Sequence, residues 1–285
     1  MEASDSKAAQ WRLLVDCSDR PGLVHQITGV LFRANCNVLM NHEYADAEAG
    51  RFFMRTEFVG GANAGAMEKE LKGLLPIDAR IRLTQPGPRR LAVLVSKEHH
   101  CVADILIRCA FGELDATVAG VISNHRDLEP LVAKFDVPFH YCTHEGVLRE
   151  EHERRLQKLI EAMKADYVVL AKYMRILGKE FVSHYPHRMI NIHHSFLPAF
   201  VGARPYQQAF ERGVKVIGAT AHFVTEQLDE GPIIVQQVIP VDHSHSPQEL
   251  SRAGRDVEQM ALARSLRLVL EDRVFLNGNR TVIFD

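Results

Sequence analysis

The feature that most constrains the fold is the alternation of short apolar runs with helical segments after about residue 90. The runs are rich in branched aliphatic residues and typical of strands buried on both faces: "LAVLVS", "ATVAGVIS", "PFHYC", "DYVVLA" and "HRMINIH". Apolar-periodic segments separate several of them, so a mostly parallel sheet with crossover helices is predicted. Two longer strands, "VKVIGATAHFV" and "GPIIVQQVIPV", flank "TEQLDE"; a helix "SPQELSRAGRDVEQMALARSLRLVLEDRV" and a last strand "RTVIFD" close this domain.

The first 85 residues have a different rhythm, which predicts the order β-α-β-β-α-β of a ferredoxin-like domain. Its first helix is "DRPGLVHQITGVLFRAN", with Pro21 near the first turn and Asp19 before it. The segment "TQPGPRR" (84–90) combines two prolines, a glycine and two arginines, and is the best linker in the chain. We therefore predict an α/β protein with two domains, 1–85 and 86–285.

Composition excludes several classes of protein. The chain has 285 residues, of which 46% are hydrophobic and 25% charged, as expected of a globular protein. A net charge of −2 gives no electrostatic basis for binding nucleic acid or an anionic membrane. The five cysteines are odd in number and scattered, which suits a reducing compartment. No apolar run approaches the ~20 residues of a membrane span, and the N-terminus does not resemble a secretory signal, so we expect a cytoplasmic protein.

Candidate catalytic residues crowd the end of one predicted strand, in "NIHHS". Ligands of an open parallel sheet bind outside the carboxyl ends of its strands. Side chains alternate along a strand, so Asn191 and His193 share a face whereas His194 turns to the other. Asn191 and His193 could stabilise an oxyanion, and Asp229, in the turn "TEQLDEGPII", is the best carboxylate to move protons. Each residue also has a structural interpretation: a strand-end cap, a core histidine and a turn aspartate.

Other chemistries find less support. The segment "LVSKEHHCVADIL" contains no glycine, so neither a dinucleotide fingerprint nor a phosphate cradle is predicted, and G-x-S-x-G is absent. The chain has 15 histidines but no H-E-x-x-H, and the adjacent pairs His99-His100 and His193-His194 would point to opposite faces of a strand. No metal is predicted. A zinc hydrolase, inactivated by chelators, is the alternative.

The segments "MINIHHSFLP" and "GATAHFVTEQLDEGPII" together resemble the formyltransferase fold of folate enzymes such as glycinamide ribonucleotide transformylase. The resemblance implies that Asn191, His193 and Asp229 are the catalytic residues, with 229 − 193 = 36 positions between histidine and aspartate. It also implies that His222, in "GATAHFV", supports the site from behind. A protonated His193 paired with Asp229 would stabilise the tetrahedral intermediate.

The resemblance also implies a folate pocket. "VLAKYMRIL" resembles the loop that holds the pterin ring, so Met174, Ile176 and Leu177 are folate-binding candidates, together with Thr225 and Gln227 of the loop that leads to Asp229. The alternative for the three apolar side chains is packing in the core.

The N-terminal segment "DCSDRPGLVHQITGVLFRANCNV" resembles an ACT domain, a module that often binds amino acids at paired interfaces. The resemblance implies an amino-acid effector at Asp19, Pro21, Gly22 and Asn37, and a homo-oligomer, either a dimer or a tetramer. The alternative is that this domain only dimerises.

An ACT domain ahead of a formyltransferase domain is the architecture of the formyltetrahydrofolate deformylases, which this chain resembles from about Trp11 to its end. The resemblance implies hydrolysis of 10-formyltetrahydrofolate to tetrahydrofolate and formate, without a metal or a cofactor. It also implies that this reaction supplies formate for purine biosynthesis and balances one-carbon folate pools. "SKEHHCVADIL" replaces the transformylase's glycine- and serine-rich loop, so no ribonucleotide acceptor is expected. The alternatives are transfer of the formyl group to a small phosphate-free amine and a non-enzymatic amino-acid sensor.

Overall fold

The computed structural model describes residues 9–60, 63–198 and 205–285 and divides the chain into two compact units. The first comprises the chain up to Gly87 together with Glu271–Asn277 and Val282–Asp285. The second comprises Pro88–Leu270 and Gly278–Thr281. The sequence assigned the C-terminal strand wholly to the second domain. That assignment was wrong, because most of the residues after Leu270 belong to the first unit.

The first unit contains the predicted β-α-β-β-α-β order. Its elements are β1 (Gln10–Ser18), α1 (Leu23–Arg33), β2 (Asn37–Asp46), β3 (Arg51–Val59), α2 (Ala64–Leu74) and β4 (Arg80–Thr84). The sheet has the order β2-β3-β1-β4, and β1 and β2 both pair antiparallel to β3. Alternate residues of β1, such as Leu13 and Val15, bury their side chains against Ile27 and Val30 of α1. The ferredoxin-like fold is confirmed.

Helix α1 begins later than predicted. Its N-cap is Gly22, whose φ of 88° lies in the left-handed region, so Pro21 precedes the cap and is not part of the first turn. The predicted effector positions Asp19, Pro21, Gly22 and Asn37 are all exposed around this turn and the start of β2.

The C-terminal segment completes the first unit. After α8 (Pro247–Leu270) come β12 (Val274–Asn277) and β13 (Arg280–Ile283), which form a two-stranded sheet. Phe275 and Phe284 join Leu14 and Phe53 in one hydrophobic cluster. The predicted helix ran on to Val274 and the sequence missed β12. Helix α8 instead ends at Leu270, and Asp272 adopts a positive φ of 55°.

A buried arginine fixes this C-terminal segment to the sheet. Arg55 of β3 is 0% exposed. Its Nε donates to the carbonyl oxygen of Asp272 at 3.1 Å, and its Nη2 donates to the carbonyl oxygen of Glu271 at 2.8 Å. Nη2 also donates to the Glu57 carboxylate at 2.6 Å. The guanidinium therefore replaces water for three acceptors at once.

The second unit is the predicted α/β domain with a mostly parallel sheet. Its elements are β5 (Arg89–Val95), α3 (His100–Ala110), β6 (Ala116–Ser123), α4 (Glu129–Ala133), β7 (Phe139–Tyr141), α5 (Arg149–Met163), β8 (Tyr167–Leu170), α6 (Lys179–Ser183), β9 (Met189–His193), α7 (Pro205–Glu211), β10 (Val216–Phe223), β11 (Ile233–Pro240) and α8. The sheet order is β11-β10-β9-β8-β5-β6-β7. Strands β5 to β9 are parallel, and β10 is antiparallel to both of its neighbours. The fold class is confirmed.

Register brings the ends of the central strands together. Leu170 of β8 lies beside Asn191 of β9, and Leu94 of β5 lies beside Leu170. The loops that follow these three strands therefore emerge side by side at the carboxyl edge, where open α/β sheets bind ligands. Separately, none of the described helices is both long and apolar enough to cross a membrane.

Replacing Arg55 with leucine should destabilise the first unit by about 3 to 5 kcal/mol, because the carbonyl oxygens of Glu271 and Asp272 would lose their donor and Glu57 would lose its nearest cation. Trp11 is the only tryptophan of the chain and packs against the core of this unit. Its fluorescence during urea unfolding therefore measures the loss. Arg33→Leu is the matched control, since Arg33 pairs with Glu70 in an exposed ion pair worth less than about 1 kcal/mol. Equal shifts for the two variants would contradict the role assigned to Arg55.

Candidate active site

Strand β9 positions two of the predicted catalytic side chains. Asn191 and His193 are two residues apart, so both project from the same face, and His193 ends the strand. His193 is buried and Asn191 is half-buried. The pairing of β9 with β8 on one side and β10 on the other fixes this strand end in the middle of the sheet.

The third predicted side chain comes from the turn between β10 and β11. Asp229 has a φ of 57°, a left-handed conformation that aspartate tolerates better than most residues. This turn brings Asp229 Oδ2 to 3.2 Å from His193 Nδ1. Gly231 makes the turn possible, because a Cβ at this position would lie 1.8 Å from the carbonyl oxygen of Phe223. The structure therefore brings together the predicted imidazole and carboxylate.

His222, the predicted supporting residue, lies beside Asn191 and Asp229. It lies directly opposite Asn191 in the antiparallel pair of β10 and β9, and its Nε2 is 3.2 Å from Asn191 Nδ2. Its Nδ1 lies 2.9 Å from the carbonyl oxygen of Phe223, which can only accept, so Nδ1 carries a hydrogen. His222 Nε2 also lies 3.6 Å from Asp229 Oδ1.

The carboxylate of Asp229 is stabilised in its charged form. Burial by itself would raise its pKa, but hydrogen bonds and charge from His193 and His222 outweigh burial and hold the pKa well below its ordinary value. Asp229 therefore carries its negative charge throughout the neutral pH range.

One nitrogen of this site is free to act on a ligand. Within the described part of the chain, His193 Nε2 is buried and has no hydrogen-bond partner. The rings of His193 and His194 stack with centroids 4.8 Å apart and an angle of 20° between their planes. The prediction that His194 turns away was wrong, because β9 ends at His193 and the alternation of a strand no longer applies. Ala199 and Phe200, which end the quoted motif, lie outside the described residues.

The predicted folate-binding residues lie on two loops at the same edge. Met174 and Ile176 are 58% and 62% exposed, so these two side chains are not packed in the core. Leu177 is partly buried against a hydrophobic cluster that Val224 also contacts. Since Val224 begins the second loop, the two loops are neighbours.

The second loop is held by its own hydrogen bonds. Thr225 Oγ1 donates to the carbonyl oxygen of Gln227 at 3.2 Å, and Lys179 Nζ lies 3.9 Å from Glu226 Oε2. Exposed apolar side chains beside ordered polar turns are suited to a flat ring system with polar edges.

The sequence analysis missed a chain of polar groups at this edge. Ser96, which follows β5, donates from Oγ to Asn124 Oδ1 at 2.8 Å, and Asn124 Nδ2 lies 3.2 Å from His144 Nδ1. The backbone nitrogen of Met174 donates to Ser96 Oγ at 3.0 Å. Ser96, Asn124 and His144 each lie at or just after the end of a predicted parallel strand. That position could have identified them as candidates for the site.

A second missed group is buried nearby and contains His100, Cys101 and Glu258, whose ligand atoms lie within 4.8 Å of one another. Glu258 already accepts from His100 Nε2 at 2.7 Å and from the Tyr206 hydroxyl at 2.7 Å, and Lys172 Nζ lies 3.1 Å from it. Its negative charge is thus neutralised by protein groups. The adjacent His99 and His100 lie at the start of α3 and not on a strand as predicted.

Known proteins share both units. Residues 11–76 match the ACT domain family and residues 89–266 match the family described as formyl transferase. The chain is 51% identical over 267 residues to a formyltetrahydrofolate deformylase of Escherichia coli strain K12, covering 94% of this chain and 95% of that protein. The chain belongs to the formyltetrahydrofolate deformylase family.

Solved structures extend the similarity. A formyltetrahydrofolate deformylase from Pseudomonas syringae pv. tomato is 41% identical, with a TM-score of 0.93, covering 99% of this chain and 96% of that one. Glycinamide ribonucleotide transformylase 1 from Symbiobacterium toebii is 35% identical with a TM-score of 0.66, and the match covers 70% of this chain and 95% of that one. Members of the deformylase family thus share a fold with a transferase over most of their length.

Replacing Gly231 with alanine should open the turn that carries Asp229, because the added Cβ cannot coexist with the Phe223 carbonyl. A crystal structure of the variant should show Asp229 Oδ2 and His193 Nδ1 farther apart than 3.2 Å. The free energy of unfolding should fall by about 1 to 3 kcal/mol, as it does for overpacked cores. Circular dichroism would show this as a lower midpoint temperature of thermal unfolding. Glu230→Ala, at an exposed neighbouring position, should change neither property. An unchanged turn in Gly231→Ala would contradict this account.

Proposed function

We propose that this protein hydrolyses 10-formyltetrahydrofolate to tetrahydrofolate and formate. The observation that carries the proposal is the 3.2 Å contact between His193 Nδ1 and Asp229 Oδ2, beside Asn191 at the end of a central parallel strand. The family name of the close relatives supports the same substrate. In this reaction a water oxygen attacks the formyl carbon, the bond from that carbon to N10 breaks, and N10 receives a proton.

Hydrogen-bond donors at the strand end would stabilise the oxyanion. His193 Nε2 is buried and unengaged, and as an imidazolium it would donate to the formyl oxygen as negative charge develops there. Asp229 on the opposite nitrogen stabilises that positive ring. The Asn191 amide, held by His222, is the second donor.

The low pKa of Asp229 limits what this residue can do. A carboxylate with a pKa well below its ordinary value is a weak base toward water. We therefore assign Asp229 to orienting the water and supporting His193, and it passes a proton toward N10 only as the intermediate collapses. No step of this route requires a metal or a cofactor.

One assay tests the proposal directly. Purified protein, 10-formyltetrahydrofolate and no acceptor should yield formate, measured as isotope-labelled product. Asn191→Ala and His193→Ala should each lower turnover by a factor of about 10² to 10³ while the variants still bind folate. A chelator should leave turnover unchanged, whereas a zinc hydrolase would lose it.

Two results would contradict the assignment. Wild-type turnover by either variant would remove the residue from the mechanism. Absence of formate from the wild-type protein would reject hydrolysis altogether.

We also propose an amino-acid effector at the ACT domain. Asp19, Pro21, Gly22 and Asn37 are exposed, and the backbone nitrogen of Asp19 is fixed by a 2.9 Å hydrogen bond to the carbonyl oxygen of Gly50. A fixed, exposed turn of this kind can present backbone groups to a small zwitterion. The homo-oligomer and the cytoplasmic location stay predictions.

Calorimetry with single amino acids tests the effector. One of them should bind to the full-length chain, and Gly22→Val, which forces a branched residue into the left-handed conformation, should abolish the heat signal. Gly146→Val, at another exposed glycine with positive φ but in the second unit, is the matched control and should still bind. If none of the 20 standard amino acids binds, the domain serves association only.

A further inference from the structure

A buried lysine lies in the loop after β8, the strand that pairs in parallel with the strand of the candidate catalytic histidine. Lys172 follows the end of β8 by two residues, as His193 follows Asn191 by two on β9. Leu170 and Asn191 are register partners in the parallel pair, so the loop that carries Lys172 leaves the sheet beside the end of β9. Lys172 is only 5% exposed, which is unusual for a lysine.

The Lys172 ammonium belongs to a buried ionic cluster, and the exposed Glu98 carboxylate lies 3.9 Å from its Nζ. Its Nζ lies 3.1 Å from Glu258 Oε2, and Glu258 is 1% exposed. The same carboxylate accepts from His100 and from Tyr206, each at 2.7 Å. Burial would raise the pKa of Glu258, but the bond from His100 and the charge of Lys172 lower it to about 2. The cluster therefore holds a fixed negative charge that Lys172 must compensate.

The backbone conformation of Lys172 is uncommon for a residue with a side chain. Its φ of 64° lies in the left-handed region, which suits glycine and is unfavourable for lysine. A glycine would satisfy this backbone without strain. The long side chain folds inward instead and fills space beneath the edge of the sheet.

The cluster joins residues that follow two neighbouring parallel strands with residues of two helices. His100 begins α3 directly after the glycine-free loop "SKEH", Glu258 comes from α8 and Tyr206 from α7. The ends of β5 and β8 lie between them, and ligands bind in this position in open parallel sheets. Protein side chains occupy it here.

We propose that Lys172, held by Glu258, closes the acceptor side of the active site, so that water and not an amine reaches the formyl carbon. The inference rests on the proposed hydrolysis and adds a residue that determines specificity. Removing the lysine side chain would leave both space and an uncompensated carboxylate, which attracts an amine. A primary amine would then replace water as the nucleophile: its nitrogen bonds to the formyl carbon, the bond from that carbon to N10 breaks, and N10 takes the proton that the amine loses.

The test compares products from the full-length protein with 10-formyltetrahydrofolate and glycinamide, a small phosphate-free amine. Mass spectrometry measures N-formylglycinamide and labelled formate in the same reaction. Lys172→Gly should raise the ratio of formylated amine to formate at least about tenfold above wild type. Lys164→Gly is the matched control, because Lys164 also has a positive φ, of 50°, but is exposed at the end of α5. Its ratio should equal that of wild type.

A second variant guards against misfolding. Lys172→Gly/Glu258→Gln removes the ammonium and the buried charge together, so it opens the same space without an unpaired carboxylate. If either variant is folded by circular dichroism and the ratio stays at the wild-type value, the proposal is overturned. Hydroxylamine, close to water in size, gives a further readout on the wild-type protein itself: it should be formylated, whereas glycinamide should not.

The outcomes separate this inference from the proposed function. Formate from the wild-type protein with no gain of amine product in the variants rejects only the role of Lys172. Formylation of glycinamide by the wild-type protein, at a rate similar to that of hydroxylamine, also rejects the role of Lys172. Absence of formate from the wild-type protein rejects the hydrolysis on which the inference rests.

Discussion

The pairing of His193 with Asp229 joins the end of a parallel strand to a turn 36 positions later, and the geometry of the site depends on it. The antiparallel register of β10 against β9 places His222 opposite Asn191 and returns the chain toward the strand end. The left-handed conformation of Asp229 and the absence of a side chain at Gly231 then turn the carboxylate inward. Loss of any of these features would leave a buried charge without its partners, which is costly in a protein interior.

Periodicity in the sequence was sufficient to predict both sheets, because buried parallel strands and amphipathic helices have distinct patterns of apolar residues. It failed at the end of α8, where neither glycine nor proline stands between Leu270 and Val274. Asp272 adopts a positive φ there, but an aspartate by itself does not mark the end of a helix in a sequence. The shared face of Asn191 and His193 followed from alternation, whereas their proximity to Asp229 was implied by the family resemblance.

Tertiary contacts account for what could not be predicted. The stacking of His194 on His193 depends on how the chain leaves β9. The cluster around Glu258 assembles residues from α3, α7, α8 and the end of β8, which are far apart in the sequence. Asp229, half-buried, and Glu258, buried, are thus two carboxylates that each have a lowered pKa and two nitrogen-bearing partners. The partners of Asp229 are the imidazoles of His193 and His222, whereas Glu258 pairs with the Lys172 ammonium and also accepts from the Tyr206 hydroxyl. This contrast assigns Asp229 to the chemistry and Glu258 to shaping the space around the candidate site.

The assignment of the last residues to the first unit has a consequence for how the chain is made. A ribosome releases residues in order, and N-terminal domains usually fold first during synthesis. Here the buried guanidinium of Arg55 finds its carbonyl partners, and Phe53 its aromatic neighbour Phe275, in residues 271–284. The first module to emerge is therefore completed late, and a nascent chain cut short before residue 271 would present an unfinished hydrophobic surface to the quality-control machinery of the cell.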